Sequence, residues 1–170
     1  MITNKMVEHI KDTLNGLTKG KNTNFGQDLN AGTAPDSGIL VVLTDGENVD
    51  SLSDSTGKKV LASSTVLGKN NDIFTVEDKT TNVINIPYSE TISVEAGSAT
   101  GFAIVQVAAT NLKEVSIVGS NENADPHKKY IIDNNKLEGC SVLFSGTIST
   151  SQTIELNNSF SLSNIKITFN

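Results

Sequence analysis

The chain has 170 residues and a formal net charge of −6 at pH 7, and all 13 of its basic residues are Lys. Such an acidic surface repels nucleic acid and anionic lipid, so we expect neither nucleic acid nor a membrane as a partner. With a single cysteine, Cys140, the chain cannot form an intrachain disulfide. No stretch has the apolar length of a signal peptide or of a membrane span. These features predict a protein made in a cytosol.

One amphipathic helix is predicted at the N-terminus, starting near Thr3 and ending near Leu17. Met6, Ile10 and Leu14 recur at every fourth position and mark its apolar stripe, which Val7 and Leu17 widen. A lone amphipathic helix of this length is marginal in water unless its stripe is buried. We therefore expect the helix to pack either on the rest of the chain or on a partner chain.

A polar connection follows the helix and contains Phe25 and Leu29 as isolated apolar anchors. It ends in the turn sequence GTAPDSG, in which proline and glycine fix the turn geometry. We place a domain boundary there. Residues 1–36 are predicted to form the N-terminal helix and a polar arm, and residues 37–170 to form a β-sandwich domain.

The remainder of the sequence predicts short strands separated by turn residues. About a third of all residues are Ser, Thr or Asn, which favours strands and turns over helices. The predicted strands cover residues 39–43, 58–68, 72–76, 92–96, 102–108, 112–120, 129–133, 137–149, 151–158 and 159–169. Many short strands with a single helix predict a mainly β protein, a β-sandwich of jelly-roll type.

The strand pair around residue 100 is the strongest β signal in the sequence. Small residues from Gly97 to Gly101 predict a turn that joins the strands 92–96 and 102–108. The second strand is almost continuously apolar, which is typical of a strand covered on both faces.

The residue types that carry catalysis are sparse and widely spaced. His9, His127 and Cys140 do not form a close-spaced metal-ligand motif, and no G-x-S-x-G nucleophile motif is present. A cysteine inside an apolar strand is expected to have a raised pKa and little reactivity. The sequence therefore predicts no enzyme, no catalytic residue, no cofactor and no bound metal.

One loop, residues 44–57, concentrates carboxylates at Asp45, Glu47, Asp50 and Asp54. Two carboxylates suffice for glycoside hydrolysis, and oxygen ligands suit Ca²⁺, although the spacing is not that of an EF-hand. The interpretation that we prefer is a solvated acidic surface loop. A hydrolase or a Ca²⁺ site at this loop remains the alternative.

Four stretches of the chain together resemble a known class of proteins. They read MITNKMVEHIKDTLNG at the N-terminus, then GTAPDSGILVVLTDGE, then EAGSATGFAIVQV, and SFSLSNIKITF at the end. This order of features resembles the small structural proteins of tailed-bacteriophage virions, which serve as head decorations, head-fibre bases or tail accessories. The chain departs from that pattern after the G-S-A-T turn, where Gly101-Phe102-Ala103 replaces an aromatic-Arg pair.

The resemblance implies a non-enzymatic capsid decoration protein on the outer head surface of a phage. It implies a β-sandwich that assembles as a homotrimer in the host cytoplasm, becomes part of the virion, and binds the major capsid protein or another virion protein. The partner contact would come from the helix or from the polar arm. The corresponding residues are Met6, Ile10, Leu14, Phe25 and Leu29.

Two alternatives to head decoration stay open at this point. A tail or baseplate accessory protein fits the same resemblance. A carbohydrate- or receptor-binding β-module belongs to another functional class and needs aromatic platforms for sugar rings. The chain has no Trp and only two Tyr, Tyr88 and Tyr130, so this alternative depends on those residues and the acidic loop.

Overall fold

Antiparallel strands make up most of the chain that the structure describes. The computed structural model describes residues 2–19, 37–52, 59–64, 75–76, 83–86, 89–115, 129–162 and 165–169. Within these ranges the elements, in chain order, are α1 (Asn4–Lys19), β1 (Ser37–Thr44), β2 (Val60–Ser64), β3 (Thr75–Val76), β4 (Val83–Ile86), β5 (Ser89–Ser93), β6 (Gly97–Ala108), a 3₁₀ turn (Ala109–Asn111), β7 (Leu112–Val115), β8 (Lys129–Ile132), β9 (Ser141–Ile154), β10 (Ser159–Leu162) and β11 (Ile165–Thr168).

The strands form three antiparallel sheets. The largest has six strands in the order β10-β5-β2-β1-β6-β9, and the others have the orders β11-β4-β3 and β7-β8. The two smaller sheets lie on opposite faces of the large one, as the core clusters below show. This arrangement confirms the predicted mainly β, sandwich-like fold with one N-terminal helix.

Strand β6 lies inside the large sheet and contributes to the core on both faces. It pairs with β1 over eight residue pairs and with β9 on its other side. Ile104 packs on one face with Ile39, while Val105 packs on the other with Leu40. The sequence prediction that this strand is covered on both faces is confirmed. Burial of each such side chain stabilises the fold by about 1.5–3 kcal/mol.

Two clusters of buried side chains cover the two faces of the large sheet. The first core cluster joins the large sheet to β7, β8 and the segments that follow β1 and β8; it contains Leu40, Val42, Val49, Leu52, Val60, Ala103, Val105, Val107, Leu112, Tyr130, Ile132 and Leu137. The second core cluster joins the opposite face to α1 and the three-stranded sheet; it contains Val7, Leu14, Ile39, Val41, Ile84 and Ile104. A third cluster at one end of the sheet contains Leu43, Leu61, Ala62, Ala99 and Ile154.

Helix α1 packs on its own chain. Val7 and Leu14 are 1% and 3% exposed in the second core cluster, and Ile10 packs against it. Met6, in contrast, is 53% exposed. Residues four positions apart are separated by about 40° around a helix, so Met6, Ile10 and Leu14 are spread over a wide arc of the helix surface. Val7 lies on the same side of the helix as Leu14. Of the predicted stripe, Val7, Ile10 and Leu14 pack in the second core cluster, while Met6 faces solvent.

The turn predicted from Gly97 to Gly101 is wrong, because these residues form the first part of β6. The chain instead turns between Ser93 and Gly97, where the backbone N–H groups of Val94 and Glu95 donate to the carbonyl of Leu61. The two strands are not hydrogen-bonded neighbours either, since β5 pairs with β2 and β10. The small residues serve packing here, as the contacts of Gly101 show.

The break predicted near residue 150 is also wrong, since β9 continues to Ile154. The pairing with β6 is instead irregular there: Gln152 pairs with Ala99 and Thr147 with Gly101, which leaves four residues of β9 opposite Thr100. Bulges increase the local twist of a sheet. Ala99 and Ile154, at this end of the β6–β9 ladder, belong to the third cluster.

Two buried serines of β2 form hydrogen bonds with other strands, Ser63 with β8 of another sheet and Ser64 with β1 of the same sheet. The Ser63 hydroxyl accepts the Ile132 N–H of β8 at 3.2 Å and donates to the Ser64 carbonyl. The Ser64 hydroxyl accepts the Val41 N–H of β1 at 2.9 Å. All of these groups are buried, so each would cost stability without its partner.

We expect Ser63→Ala to lower the free energy of unfolding by about 1–3 kcal/mol, because the buried Ile132 N–H loses its acceptor. Urea unfolding followed by circular dichroism measures this loss. Ser98→Ala, at an exposed position of β6, is the matched control and should change stability by less than about 0.5 kcal/mol. Equal losses of stability in Ser63→Ala and Ser98→Ala would contradict a role for Ser63 in connecting the layers.

Gly101 is required by a close approach of two backbones. A Cβ atom at this position would overlap the carbonyl oxygen of Gly46, in the segment that crosses β6 after β1. At Gly97 an added Cβ would lie 3.0 Å from the flexible side chain of Leu61. The first contact is with rigid backbone and the second is with a side chain that can move.

We therefore expect Gly101→Ala to destabilise the protein by about 3 kcal/mol and Gly97→Ala by less than about 1 kcal/mol. Thermal unfolding of the two variants compares them within one strand. If Gly101→Ala were as stable as Gly97→Ala, the segment after β1 would not be held against β6.

Candidate functional site

An apolar groove lies between α1 and the beginning of β9. Its volume is about 320 Å³, and its walls are formed by Met6, His9, Ile10, Thr13, Leu14, Leu143 and Phe144. Exposed apolar side chains in a concave surface are typical of interaction sites. Met6 is one of two large hydrophobic residues that are exposed in the described part of the chain.

A local irregularity of β9 produces the floor of this groove. Phe144 pairs with Ile104 and Val142 with Val105, so Leu143 is an extra residue without a partner in β6. Strict alternation would place Leu143 and Phe144 on opposite faces of the sheet. The bulge lets both side chains reach the second core cluster and the groove.

Phe144 is held in place by an aromatic contact with the end of the chain. Its ring lies 6.0 Å from the ring of Phe169, with an angle of 80° between the two planes. Edge-to-face pairs of this kind contribute about 0.5–1.5 kcal/mol beyond the burial of area. The floor is therefore a fixed surface, whereas Met6 on the opposite wall has a flexible side chain.

The charges near the groove are arranged unevenly around the helix. Lys11 lies 2.8 Å from Glu8 and 3.1 Å from Asp12, and the hydrogen bonds with Glu8 and Asp12 raise the pKa of Lys11. Lys5 has no ion pair with any residue that the structure describes, and it lies one turn before His9 on the same side of the helix. Lys5, Glu8, Lys11 and Asp12 line a neighbouring part of the helix surface together with His9, so the side chains next to the groove carry both positive and negative charges.

The five predicted partner-binding residues have different positions in the structure. Met6 and Ile10 line the groove, and Met6 is the more exposed of the two. Leu14 also lines it but is 3% exposed, because it mainly packs in the second core cluster. Phe25 and Leu29 lie outside the described residues.

The acidic loop is attached to neighbouring strands at its beginning. The Asp45 carboxylate accepts the Lys59 N–H at 2.8 Å, and the Glu47 carboxylate accepts the Thr147 hydroxyl at 3.3 Å. Val49 and Leu52 are buried in the first core cluster. The carboxylates of Asp45, Glu47 and Asp50 are nevertheless exposed, as expected for a solvated acidic loop, while Asp54 lies outside the described residues.

The other predicted candidates are also separated by the fold. In the described part of the chain, no three His, Cys, Asp or Glu side chains form a group that could hold a metal ion. His9 is on α1 and Cys140 precedes β9, while His127 lies outside the described ranges. Tyr130 is 6% exposed in the first core cluster, so it cannot stack on a sugar ring.

Sequence reasoning missed Leu143 and Phe144 as site residues. Both were assigned to a strand, but alternation gave no reason to place them on one face. The signal that could have identified them is the apolar run Val142-Leu143-Phe144 in an otherwise polar strand. A run of this kind breaks the two-residue period and is compatible with a bulge.

Cys140 is half-buried, and burial raises the pKa of its thiol to about 11. Since the thiolate is the reactive form, we expect alkylation by iodoacetamide at pH 8 to be about 100-fold slower than in the denatured chain. The rate should rise with pH up to about the pKa. Mass spectrometry of timed samples measures both rates, and a native rate within threefold of the denatured one would contradict the burial of the thiol.

No helix in the described ranges has both the length and the apolar character needed to cross a membrane. Comparison of the chain with protein-family models, with curated proteins and with solved structures gave no match.

Proposed function

We propose that this protein is a non-enzymatic structural protein of a tailed-bacteriophage virion, attached to the outer surface of the capsid as a homo-oligomer. The main structural support for a role in assembly is the apolar groove between α1 and the beginning of β9. It presents Met6 to solvent beside a fixed aromatic floor. A surface of this type gains free energy by excluding water when a partner covers it.

The groove is better suited to a protein partner than to a small metabolite. It is shallow, and its walls are almost entirely apolar, with His9 and Thr13 as the polar members. Small-molecule sites usually combine an enclosed cavity with several convergent polar groups. An exposed methionine is instead typical of surfaces that adapt to an apolar side chain of another protein.

The assignment to a virion is supported by the sequence resemblance and by the charge and cysteine content of the chain. The acidic net charge of −6 favours solubility at high local concentration. The fold needs no disulfide, which suits assembly in a reducing cytosol. Homotrimeric assembly and attachment to the major capsid protein are part of the same proposal.

Immunogold electron microscopy tests the virion role directly. Antibody raised against the purified protein is applied to phage particles from the culture that produces it, and gold is counted over heads, tails and background. We expect gold spread over the heads. Gold confined to the tails would overturn head decoration in favour of a tail accessory.

Absence of gold on intact particles would overturn the virion role altogether, provided that the antibody labels purified protein on the same grids. Particles of an unrelated phage, prepared in parallel, give the background. A binding assay on an array of glycans then addresses the carbohydrate-binding alternative.

A further inference from the structure

The pair Asn15-Gly16 lies inside α1, although such a pair usually marks a turn or the end of a helix. It is the only Asn-Gly pair in the 170 residues of the chain. The helix nevertheless continues through both residues to Lys19. Because glycine disfavours the interior of a helix, the last turn of α1 depends on packing and opens more easily than the turns before it.

An asparagine that precedes a glycine is chemically unstable when its backbone is free to move. The backbone nitrogen of Gly16 attacks the side-chain carbon Cγ of Asn15, which closes a succinimide ring and releases ammonia. Water then opens the ring and leaves aspartate or isoaspartate at position 15. Glycine favours the attack because it has no side chain to hinder the approach of its nitrogen.

The docked helix prevents this reaction. In an α-helix the Gly16 N–H points along the helix axis toward the carbonyl of Asp12, and the succinimide ring requires an Asn15 ψ outside the helical range. Asn15 is also only 4% exposed. It lies on the side of α1 that carries Val7 and Leu14 into the second core cluster. Ring closure therefore requires α1 to open locally.

The product of the reaction does not fit the docked helix. An aspartate at position 15 places a carboxylate where the asparagine is buried, and burial of a charge without a partner is strongly unfavourable. Lys11, one turn earlier, is already shared by Glu8 and Asp12. The position is close to the C-terminal end of α1, where the helix dipole disfavours negative charge. An isoaspartate adds a carbon to the backbone and interrupts the helical hydrogen bonds.

We propose that Asn15 is a deamidation site that the docking of α1 protects, and that the aspartate or isoaspartate formed when the helix opens keeps it from docking again. Since α1 supplies Met6 and Ile10 to the wall of the apolar groove, the modification removes that groove. The lifetime of this surface is then set by how often α1 opens. The inference does not depend on the virion role, because the reaction involves the chain's own residues and water.

Peptide mapping by mass spectrometry measures the deamidation rate of Asn15 in the purified full-length protein at mildly alkaline pH. The same chain in guanidinium chloride gives the rate without the helix. We expect the native rate to be at least about tenfold lower than the denatured rate. A native rate within about threefold of the denatured rate would overturn the protection by α1.

Gly16→Ala tests whether the reaction occurs through this pair. A methyl group on the attacking residue hinders ring closure, so the denatured variant should deamidate at least about fivefold more slowly than the denatured wild-type chain. An unchanged rate would overturn the assignment of the reaction to Asn15-Gly16.

A pair of matched core variants tests whether the opening is local. Val7→Ala weakens the docking of α1, whereas Val60→Ala removes the same atoms from the first core cluster on the other face of the large sheet. We expect Val7→Ala to raise the native deamidation rate at least about fivefold and Val60→Ala to raise it less than about twofold. Equal acceleration would mean that the whole protein must unfold, which would overturn gating by α1.

The variant Asn15→Asp tests whether the product keeps the helix undocked. Thr13→Asp places the same charge at an exposed position of α1 and is the control. Amide hydrogen exchange in α1 should be at least about tenfold faster in Asn15→Asp than in Thr13→Asp, while exchange in β6 should be the same in both. Equal exchange in α1 would overturn this part of the proposal. None of these measurements needs a phage particle, so they are independent of the gold labelling.

Discussion

The pairing of β6 with strands on both of its edges is the constraint on which the two main core clusters depend. Its ladder with β1 fixes which side chains share a face, so that Ile104 and Ile39 meet on one side and Val105 and Leu40 on the other. A shift of one residue would exchange these faces. The helix on one side and the β7–β8 sheet on the other are therefore positioned by the same register, although they belong to different layers.

Periodic features of the sequence predicted the fold well. The helix and the apolar part of β6 were identified from spacing, because burial imposes a period of about 3.6 residues on helices and of two on strands. The single closing strand predicted over residues 159–169 is wrong, since β10 and β11 are two strands that belong to different sheets. The predictions failed where the geometry of the backbone, and not the periodicity of apolar residues, determines the structure. Gly97 and Gly101 indicated a turn, but both lie in β6, and Gly101 is required by its close approach to the backbone of Gly46, more than 30 residues away along the chain. Contacts between residues so far apart along the chain leave no pattern in the local sequence.

The candidate site could be predicted only in part, for the same reason. Met6 and Ile10 were found because they belong to the helix stripe. Leu143 and Phe144 reach the groove through an extra residue in β9, and nothing in the strand's composition fixes that position. Val7, and not Met6, completes the buried stripe. The helix thus divides its apolar residues between the core and a surface, which keeps the exposed apolar patch small.

Strand β9 has a property that matters at high protein density. It forms an edge of the large sheet among the described strands, and its 14 residues include neither a charge nor a proline. Edge strands usually deter edge-to-edge stacking with lysine or proline, whereas this one relies on two irregularities in its backbone. Electrostatic protection fades in concentrated salt and near the isoelectric point of about 4.8. Irregular backbone geometry protects an edge strand without depending on charge. The resistance of this protein to fibril formation should therefore be largely independent of salt concentration and pH.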